Sequence, residues 1–277
     1  MKLTISMATF NDYDGVYFTI QSLRAYHKLP KDVEFLVLDN NPKSHHADAT
    51  RHLLSSIPNA THIPIEGRRS SWTKYDVFKH ASGDIILNLD CHVLLAPRFF
   101  GRLFKHFEDP ANRLDMLTGP VVFNSLKSFA TGLNPVWNKH DFGCWMRHEV
   151  KDARSPIEIE MQGMGCFAAR KDAWVDIPDG FSGFGAEEWF MAEHVRRWGG
   201  RVMCHPKMRW IHRFRWPRRE YPLRLDDKIF NYYLGWLNLY KTLDHPRIEA
   251  MTRHWKTQVS EERLNKAIRE AKVLANT

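Results

Sequence analysis

The sequence predicts an α/β fold with a mostly parallel central sheet, flanked by helices and followed by a helical extension. Strand-like and helix-like segments alternate from residue 3 to residue 92, which is typical of parallel strands joined by right-handed crossovers. The chain has 277 residues, enough for one large domain with a buried core. Its hydrophobic content of 43% and aromatic content of 13% exclude a disordered protein.

The first half contains the clearest alternation. Helix-spaced apolar residues such as Val16, Ile20 and Leu23 predict the first helix, and turn residues such as Asn40-Asn41-Pro42 close the second strand. The predicted order is strand 3–10, helix 16–26, strand 33–39, helix 46–55, a short strand near 62–64, a helix ending near 81, and strand 85–92.

The second half is less regular. Residues 124–155 lack clear periodicity, which predicts a long loop, and long loops of this kind are often functional lids. Residues 226–240 and 246–274 read as helices; the first has an aromatic stripe suited to packing on the core, and the second is charged enough to be a solvated appendage. We therefore expect a catalytic domain at 1–222 and a helical extension at 223–277.

Three polar residues fall at the ends of predicted strands: Thr9, Asp39 and Asp90. In a parallel sheet, ligands bind at the carboxyl ends of the strands, so these residues predict one crevice. Asp39 is suited to accept hydrogen bonds from a base or a ribose, and Thr9 to line the same pocket. A turn residue before Asn40 is an equally good interpretation of Asp39.

The segment Asp90-Cys91-His92 ends the most apolar strand. Alternate side chains of a strand point to the same side, so the Asp90 carboxylate and the His92 imidazole are expected to face one point. Oxygen and nitrogen ligands of this kind suit a divalent cation such as Mn²⁺. The alternative is a buried strand that reaches the surface at a polar turn.

Basic residues precede this strand at Arg68, Arg69 and Lys74. They are candidates for contacts with a diphosphate, whose charge cations offset, or else they belong to a solvated helix face. The whole chain has a net charge of +8 and a sequence pI near 9.3, which favours a polyanionic partner.

The four cysteines have no CxxC spacing and resemble reduced cytosolic thiols. The N-terminus is too short and too quickly polar for a signal peptide, and no apolar run approaches the roughly 20 residues that cross a bilayer. We therefore expect a cytoplasmic protein with no membrane contact. The oligomeric state stays open.

These motifs resemble those of nucleotide-sugar glycosyltransferases with the GT-A (Rossmann-like) fold. The strands ending at Thr9 and Asp39 and the segment 81–84 (ASGD) are similar to the broad family 2 pattern. The form Asp90-x-His92 resembles the polypeptide N-acetylgalactosaminyltransferases, in which these two residues would hold Mn²⁺ bound to the diphosphate. Lys74 occupies the place of a basic residue in that family's helix before the metal strand.

Three later segments resemble the same family. The segment 161–170 (MQGMGCFAAR) is similar to the small-residue stretch under the donor sugar, where Gly163 and Gly165 would let the backbone approach a ligand. The segment 181–189 (FSGFGAEEW) is similar to the family's Trp-Gly-Gly-Glu-Asn stretch, and 210–215 (WIHRFR) to its His-x-Phe-Arg. The resemblance makes His212 the third metal ligand and places Arg215 near the diphosphate.

The acidic pair Glu187-Glu188 follows from the same resemblance. Glu187 matches the family carboxylate that contacts the donor sugar or the acceptor, and Glu188 stands where inverting family 2 enzymes often carry an Asp base. Helix capping is the alternative for both. Phe184, Ala186 and Glu188 depart from the family's Trp, Gly and Asn.

The resemblance implies a metal-dependent enzyme with Mn²⁺ or another divalent cation and a UDP-sugar donor. It favours retention of configuration, whereas a Glu188 base would invert it. The chain also resembles short single-domain glycosyltransferases of bacteriophages.

The acceptor is predicted from a basic and aromatic stretch, residues 196–224, in which only Glu220 is acidic. Such stretches hold phosphates and stack bases. In a phage-like setting, DNA carrying a 5-hydroxymethylpyrimidine is the expected acceptor, because the hydroxyl of that base can take a sugar. The alternative is that some of these arginines serve the donor diphosphate and the others are surface residues. A protein Ser/Thr hydroxyl or a glycan is the alternative acceptor. Two alternatives to a transferase remain: an inactive nucleic-acid-binding protein and a metal-dependent phosphodiesterase.

Overall fold

The computed structural model of the protein describes residues 1–66, 71–150, 152, 154–214 and 223–275. Its strands are β1 (Leu3–Thr9), β2 (Glu34–Asp39), β3 (Ala60–Pro64), β4 (Ile85–Asp90), β5 (Val93–Leu95), β6 (Met116–Thr118), β7 (Val121–Val122), β8 (Phe129–Ala130), β9 (Gly132–Asn138), β10 (Asp141–Met146), β11 (Ile157–Glu158), β12 (Cys166–Arg170), β13 (Val202–Cys204) and β14 (Trp210–His212). Its α-helices are α1 (Tyr13–Tyr26), α2 (His45–Ser55), α3 (Val77–His80), α4 (Phe99–Glu108), α5 (Glu187–Arg197), α6 (Leu225–Tyr240), α7 (Pro246–Lys256) and α8 (Glu261–Ala275). Short 3-10 helices lie at Ser71–Tyr75, Pro110–Asn112 and Lys171–Ala173.

An eight-stranded sheet is the framework of the protein, with the order β11-β13-β6-β12-β4-β1-β2-β3. The strands β3, β2, β1 and β4 are parallel, as predicted. β12 is antiparallel to both of its neighbours, so the sheet is mixed on that side. A four-stranded sheet, β5-β14-β7-β8, and the hairpin β9-β10 lie apart from it. The predicted α/β fold is confirmed.

The two faces of the large sheet are both covered, which explains the continuous apolar run of β4. Ile86 packs into one hydrophobic cluster, and Ile85, Leu87 and Leu89 pack into the cluster on the other face. Alternate side chains of one strand thus fill two separate cores. This burial fixes the strand's register and so fixes where its last residue, Asp90, emerges.

The C-terminal helices pack against the rest of the chain. Trp236 of α6 stacks on Trp189 of α5 with ring centres 3.9 Å apart, so the aromatic stripe is a packing face, as predicted. The prediction of one solvated helix over 246–274 is wrong: residues 257–260 separate α7 from α8, and α8 buries Leu264 and Ala271 in the core. The boundary at residue 222 stays a prediction. Within the described ranges, no helix combines the length and the apolarity that crossing a bilayer requires.

The segment 124–155 is not a structureless loop, so that prediction is also wrong. It contains β8 and the antiparallel hairpin of β9 and β10. Trp137 in the hairpin stacks on His254 of α7, with ring centres 4.3 Å apart. Because the hairpin is half exposed and carries aromatic residues on both faces, its sequence lacks the alternation that marks a strand.

Candidate active site

The strand ends predicted to form one crevice lie side by side in the sheet. β1 runs between β2 and β4, with Thr9 opposite Asp39 and Ala8 opposite Asp90. The structure thus brings Thr9, Asp39 and Asp90 to the carboxyl edge of three adjacent parallel strands. This is the edge at which open α/β sheets bind their ligands.

Asp39 and Thr9 differ in how their polar atoms are used. The Asp39 carboxylate accepts hydrogen bonds from the Asn41 backbone N–H at 2.8 Å and from His62 Nε2 at 2.9 Å. It therefore supports the turn after β2 while keeping lone pairs for a ligand. The Thr9 hydroxyl is buried and has no hydrogen-bond partner among the described residues. A buried hydroxyl of this kind calls for a partner, which a bound ligand would supply.

The three predicted metal ligands come together. Their ligand atoms, one each from Asp90, His92 and His212, lie within 4.8 Å of one another. His92 Nε2 is 3.1 Å from His212 Nε2, which is 3.3 Å from Asp90 Oδ2. The expectation that Asp90 and His92 share a strand face is wrong, because β4 ends at Asp90 and His92 lies in the turn to β5. Their convergence comes from that turn.

The four-stranded sheet positions His212 beside His92. β14 pairs with β5 so that His212 lies opposite Val93, directly after His92. The Arg213 backbone N–H donates to the His92 carbonyl at 3.1 Å, which extends the pairing past the two histidines. The two imidazoles, 120 residues apart in sequence, are thus held by backbone hydrogen bonds.

Asp12 supports this cluster through its contact with His92. It was not identified in the sequence as a site residue. Its carboxylate is fully buried and bonds to His92 Nδ1 at 2.9 Å, while Arg213 donates to its other oxygen at 2.9 Å. A carboxylate on Nδ1 keeps the proton there and leaves the Nε2 lone pair facing the cluster. Asp12 also caps α1 by accepting from the Gly15 N–H, so a helix start fixes its position.

Lys74 offsets the charge of the Asp90 carboxylate. Its ammonium donates to Asp90 Oδ1 at 3.2 Å and to the Met164 carbonyl at 3.3 Å. Burial alone would raise the pKa of Asp90, but the Lys74 charge and the His212 hydrogen bond outweigh it and hold that pKa far below its usual range. Burial likewise opposes the charge of Lys74, yet Asp90 and Glu187 raise its pKa. Asp90 is therefore an anion throughout the physiological pH range.

Each of the two predicted glycines lies in close contact with a side chain of the protein. A Cβ on Gly165 would lie 2.8 Å from Asp90 Oδ2, and a Cβ on Gly163 would lie 2.2 Å from the Trp145 ring. The Gly165 carbonyl also accepts from the Asp90 N–H at 2.8 Å. Gly165 thus makes room for the metal carboxylate and Gly163 for an aromatic ring; contact of either with a donor sugar stays a prediction.

The acidic pair opens α5 at the rim of the crevice. Glu187 is 2% exposed and accepts a hydrogen bond from the Ser71 hydroxyl, while its second oxygen is buried without a partner among the described residues. Burial, followed by repulsion from Glu187, raises the pKa of Glu188 to about 7. The preceding residue, Ala186, has a φ of +73° where the family motif has glycine.

Three predicted residues, Arg68, Arg69 and Arg215, lie outside the described residues, so their predicted roles at the diphosphate stay predictions. Two further residues that sequence reasoning passed over are Ser71, which holds Glu187, and Trp145, which covers Gly163. A serine followed by an aromatic residue is too common a pattern before a strand to single out Ser71. Trp145 lay in the segment interpreted as a loop.

Residues 4–174 match the family described as glycosyl transferase family 2. The chain belongs to this family. The family assignment confirms the predicted glycosyltransferase family.

Solved structures that resemble this glycosyltransferase include GalNAc-T7 with UDP, GalNAc and Mn²⁺, at 14% identity and a TM-score of 0.70 over 98% of this chain and 54% of that one. The mannosyltransferase PcManGT from Pyrobaculum calidifontis, with GDP-Man and Mn²⁺, has 14% identity and a TM-score of 0.55 over 98% and 73%. The S. aureus TarS fragment 1–349 with UDP-GlcNAc has 14% identity and a TM-score of 0.61 over 98% and 80%. At this identity the likeness concerns the fold, which is GT-A, and the chain spans about half the length of GalNAc-T7. No curated protein matches the sequence.

Proposed function

We propose that this glycosyltransferase uses a divalent cation, Mn²⁺ or a close substitute, to transfer a sugar from a UDP-sugar to a hydroxyl acceptor. The cluster of Asp90, His92 and His212 at the carboxyl edge of β4 carries the proposal. Thr9 and Asp39 at the neighbouring strand ends would contact the nucleoside. GalNAc-T7 and PcManGT, which share the fold, were solved with nucleotides or nucleotide sugars and Mn²⁺, and TarS with UDP-GlcNAc.

The residues present fit such a cation. One carboxylate and two imidazoles offer three ligand atoms within 4.8 Å of one another, and an octahedral ion keeps its remaining positions for phosphate oxygens and water. When bound, the cation would stabilise the charge that develops on the departing diphosphate. Asp12 keeps the His92 Nε2 lone pair pointed at the cluster, and Lys74 holds Asp90 in its ionised form. Arg68 and Arg215 would add positive charge beside the diphosphate.

We propose retention of configuration, on the resemblance of the Asp-x-His and His-x-Phe-Arg motifs to the polypeptide N-acetylgalactosaminyltransferases. In a retaining reaction, no protein base on the far side of the sugar is needed to deprotonate the acceptor. Glu187, whose second oxygen is buried without a partner among the described residues, would then bind a hydroxyl of the donor sugar or of the acceptor. Gly163 and Gly165 would lie under the sugar.

One observation favours inversion as the second candidate. The pKa of Glu188, raised to about 7 by burial and by Glu187, is close to the value that suits a general base at neutral pH. Glu188 also occupies the position of the Asp base in inverting family 2 enzymes. The anomeric configuration of the product, read by NMR coupling constants, distinguishes the two courses.

For the acceptor we propose the hydroxyl of a 5-hydroxymethylpyrimidine in DNA, in a phage-type setting within the cytoplasm. The net charge of +8 and the exposed rings of Trp145 and Phe214 support a polyanion with stackable bases. A base in a duplex reaches such a site by flipping out of the stack. A protein Ser/Thr hydroxyl or a glycan is the alternative acceptor.

The test offers a panel of nucleotide sugars with Mn²⁺ to the wild type and to Asp90→Ala. Each is combined with unmodified, hydroxymethylcytosine and hydroxymethyluracil DNA, and the digested nucleosides are weighed by mass spectrometry. We expect a hexose or N-acetylhexosamine gain on one modified base, absent in the variant. Release of nucleoside diphosphate with no gain on any DNA would reject the DNA acceptor and keep the transferase. No metal-dependent turnover of any donor would reject the proposal.

A further inference from the structure

We propose that a basic groove beside the site binds the sugar–phosphate backbone of the acceptor DNA; this inference rests on the DNA acceptor proposed above. The groove is called here the Phe129 groove. It has a volume of about 710 Å³. Its charged and aromatic residues are Arg102, Phe129, Arg147, Lys207, Arg209 and the acidic Glu149.

Two arginines of the groove lie on one aromatic ring. The guanidinium carbons of Arg147 and Arg209 are 4.2 and 4.8 Å from the centre of the Phe129 ring. Neither arginine forms an ion pair with a carboxylate in the part of the chain that the structure describes. Two like charges held together this way repel each other, and an anion bound between them would relieve that repulsion. The stacking also pre-orients both guanidinium groups, which lowers the entropy cost of binding.

Other basic residues of the predicted 196–224 stretch form ion pairs within the protein. Arg201 pairs with Asp115 at 2.7 Å, and Arg213 pairs with Asp12 at 2.9 Å. These arginines hold the fold and the metal cluster together. Lys207 and Arg209 are exposed instead and join Arg102 and Arg147, which come from outside that stretch. The fold therefore brings four cations together in one groove, and of these Arg102 also donates to the Pro97 and Lys207 carbonyls.

The groove and the proposed metal cluster are both built on the four-stranded sheet. Phe129 lies opposite Val122 of β7, and β7 pairs with β14, which ends in the metal residue His212. From His212, a row of rings leads outward through Phe214 at 4.5 Å and Phe123 at a further 5.9 Å.

Trp145 completes this row at 6.3 Å from Phe123 and covers Gly163. Trp145 and Phe214 are 42% and 40% exposed, so both rings are accessible. A flipped base stacked on this row would place its flanking phosphates towards the Phe129 groove.

The chemistry of the groove favours a phosphodiester over the other acceptors. Guanidinium groups bind phosphate oxygens through paired, charge-assisted hydrogen bonds. A neutral glycan would leave the four cations with Glu149 as the counter-charge in the groove lining. An acidic peptide would supply carboxylates but no bases for the row of rings, so it is the competing outcome in the test.

The test measures binding of a fluorescent hydroxymethylcytosine oligonucleotide by anisotropy across a range of salt concentrations. The wild type is compared with Arg147→Ala/Arg209→Ala and with a control that removes the same charge from exposed positions of α7 and α8, Lys256→Ala/Arg269→Ala. We expect the groove variant to bind about tenfold more weakly, with a log–log salt slope smaller by about 1.5 to 2. The control is expected to bind as the wild type does. Arg147→Lys/Arg209→Lys keeps the charge and should recover part of the affinity, and melting temperatures verify that each variant is folded.

Four results would overturn the inference. Equal weakening in the groove and control variants would show dependence on net charge only. Competition by polyglutamate as strong as competition by DNA would assign the groove to an acidic peptide. Sugar transfer to DNA that the groove variant performs with wild-type KM would reject the groove while leaving the DNA acceptor in place. If the wild type uses a donor yet neither binds nor modifies DNA, the DNA acceptor and the groove are both rejected, and the transferase stands.

Discussion

The proposed donor side and the proposed acceptor side of the site, called below the donor side and the acceptor side, are held in different ways. On the donor side, carboxylates such as Asp12 and Asp39 are 0% and 2% exposed and are fixed by several hydrogen bonds each. On the acceptor side, Trp145 and Phe214 are 42% and 40% exposed and are held by ring contacts. Buried hydrogen-bonded groups fix one geometry, whereas exposed rings adapt to a partner. The donor side is thus built for one chemistry and the acceptor side for recognition.

The largest effect is expected from His212→Ala, which removes one of the three metal ligands on the donor side. A bound cation stabilises the departing diphosphate by several kcal/mol, so Mn²⁺-dependent hydrolysis of the nucleotide sugar should fall about 10³-fold. DNA binding should change little, because the groove cations are intact. The matched control is His80→Ala, an exposed histidine at the end of α3. Unchanged hydrolysis in His212→Ala would remove this residue from the metal site.

Asp12→Asn tests whether the donor side depends on a residue that hydrogen-bonds to a metal ligand. The amide can present N–H to His92 Nδ1, which would favour the tautomer with its proton on Nε2 and block the metal position. We expect the Mn²⁺ affinity to fall 10- to 100-fold, measured by titration of activity and by calorimetry. Asp48→Asn, an exposed carboxylate on α2, is the control. A loss of kcat at saturating Mn²⁺ with an unchanged metal affinity would contradict a positioning role.

Two glycines separated by one residue probe the two sides separately. In Gly165→Ala the new Cβ would lie 2.8 Å from Asp90 Oδ2, so donor hydrolysis and metal affinity should fall about tenfold. In Gly163→Ala the Cβ would lie 2.2 Å from Trp145, an exposed ring that is free to swing away. Transfer to the acceptor should then fall more than donor hydrolysis does. Equal ratios of transfer to hydrolysis in the two variants would show that the sides are not separable.

The sequence was informative where local pattern determines structure. The strands ending at Thr9, Asp39 and Asp90 are short apolar runs closed by turns, and parallel pairing then places their ends together whatever the rest of the chain does. His212 is different, because its approach to His92 depends on pairing between β5 and β14 across more than 100 residues. No periodicity encodes that pairing; the resemblance to a family supplied it.

The acceptor side was poorly predicted for the same physical reason. The hairpin β9-β10 is stabilised by contacts such as Trp137 on His254, which are distant in sequence. Phe129, Arg147 and Arg209 belong to three separate segments that meet only in the folded protein. Asp12 looked like an ordinary turn residue, since its N-cap role hides its contact with His92.

Glu188→Gln decides which chemistry the donor side performs. If the reaction proceeds with retention, transfer should fall less than tenfold, because no base is required. If Glu188 is the base of an inverting reaction, transfer should fall 10²- to 10⁴-fold. In that case wild-type activity should also rise with pH through about 7, the pKa to which burial and Glu187 raise this carboxyl. The pH profile and the anomer of the product must agree for either course to be accepted.

The same substitution has a smaller effect on stability, with a defined pH dependence. Folding raises the pKa of Glu188 from 4.5 to about 7, so between these values the folded protein keeps a proton that the unfolded chain has lost. The stabilisation from that proton is complete below pH 4.5 and is lost as the pH rises through 7. Glutamine stays neutral, so the variant should exceed the wild type by about 1–3 kcal/mol at pH 8, a few degrees in melting temperature, with little difference at pH 5. A gain that is equal at both pH values would mean that Glu188 is already ionised in the folded protein at pH 5, which would contradict its raised pKa.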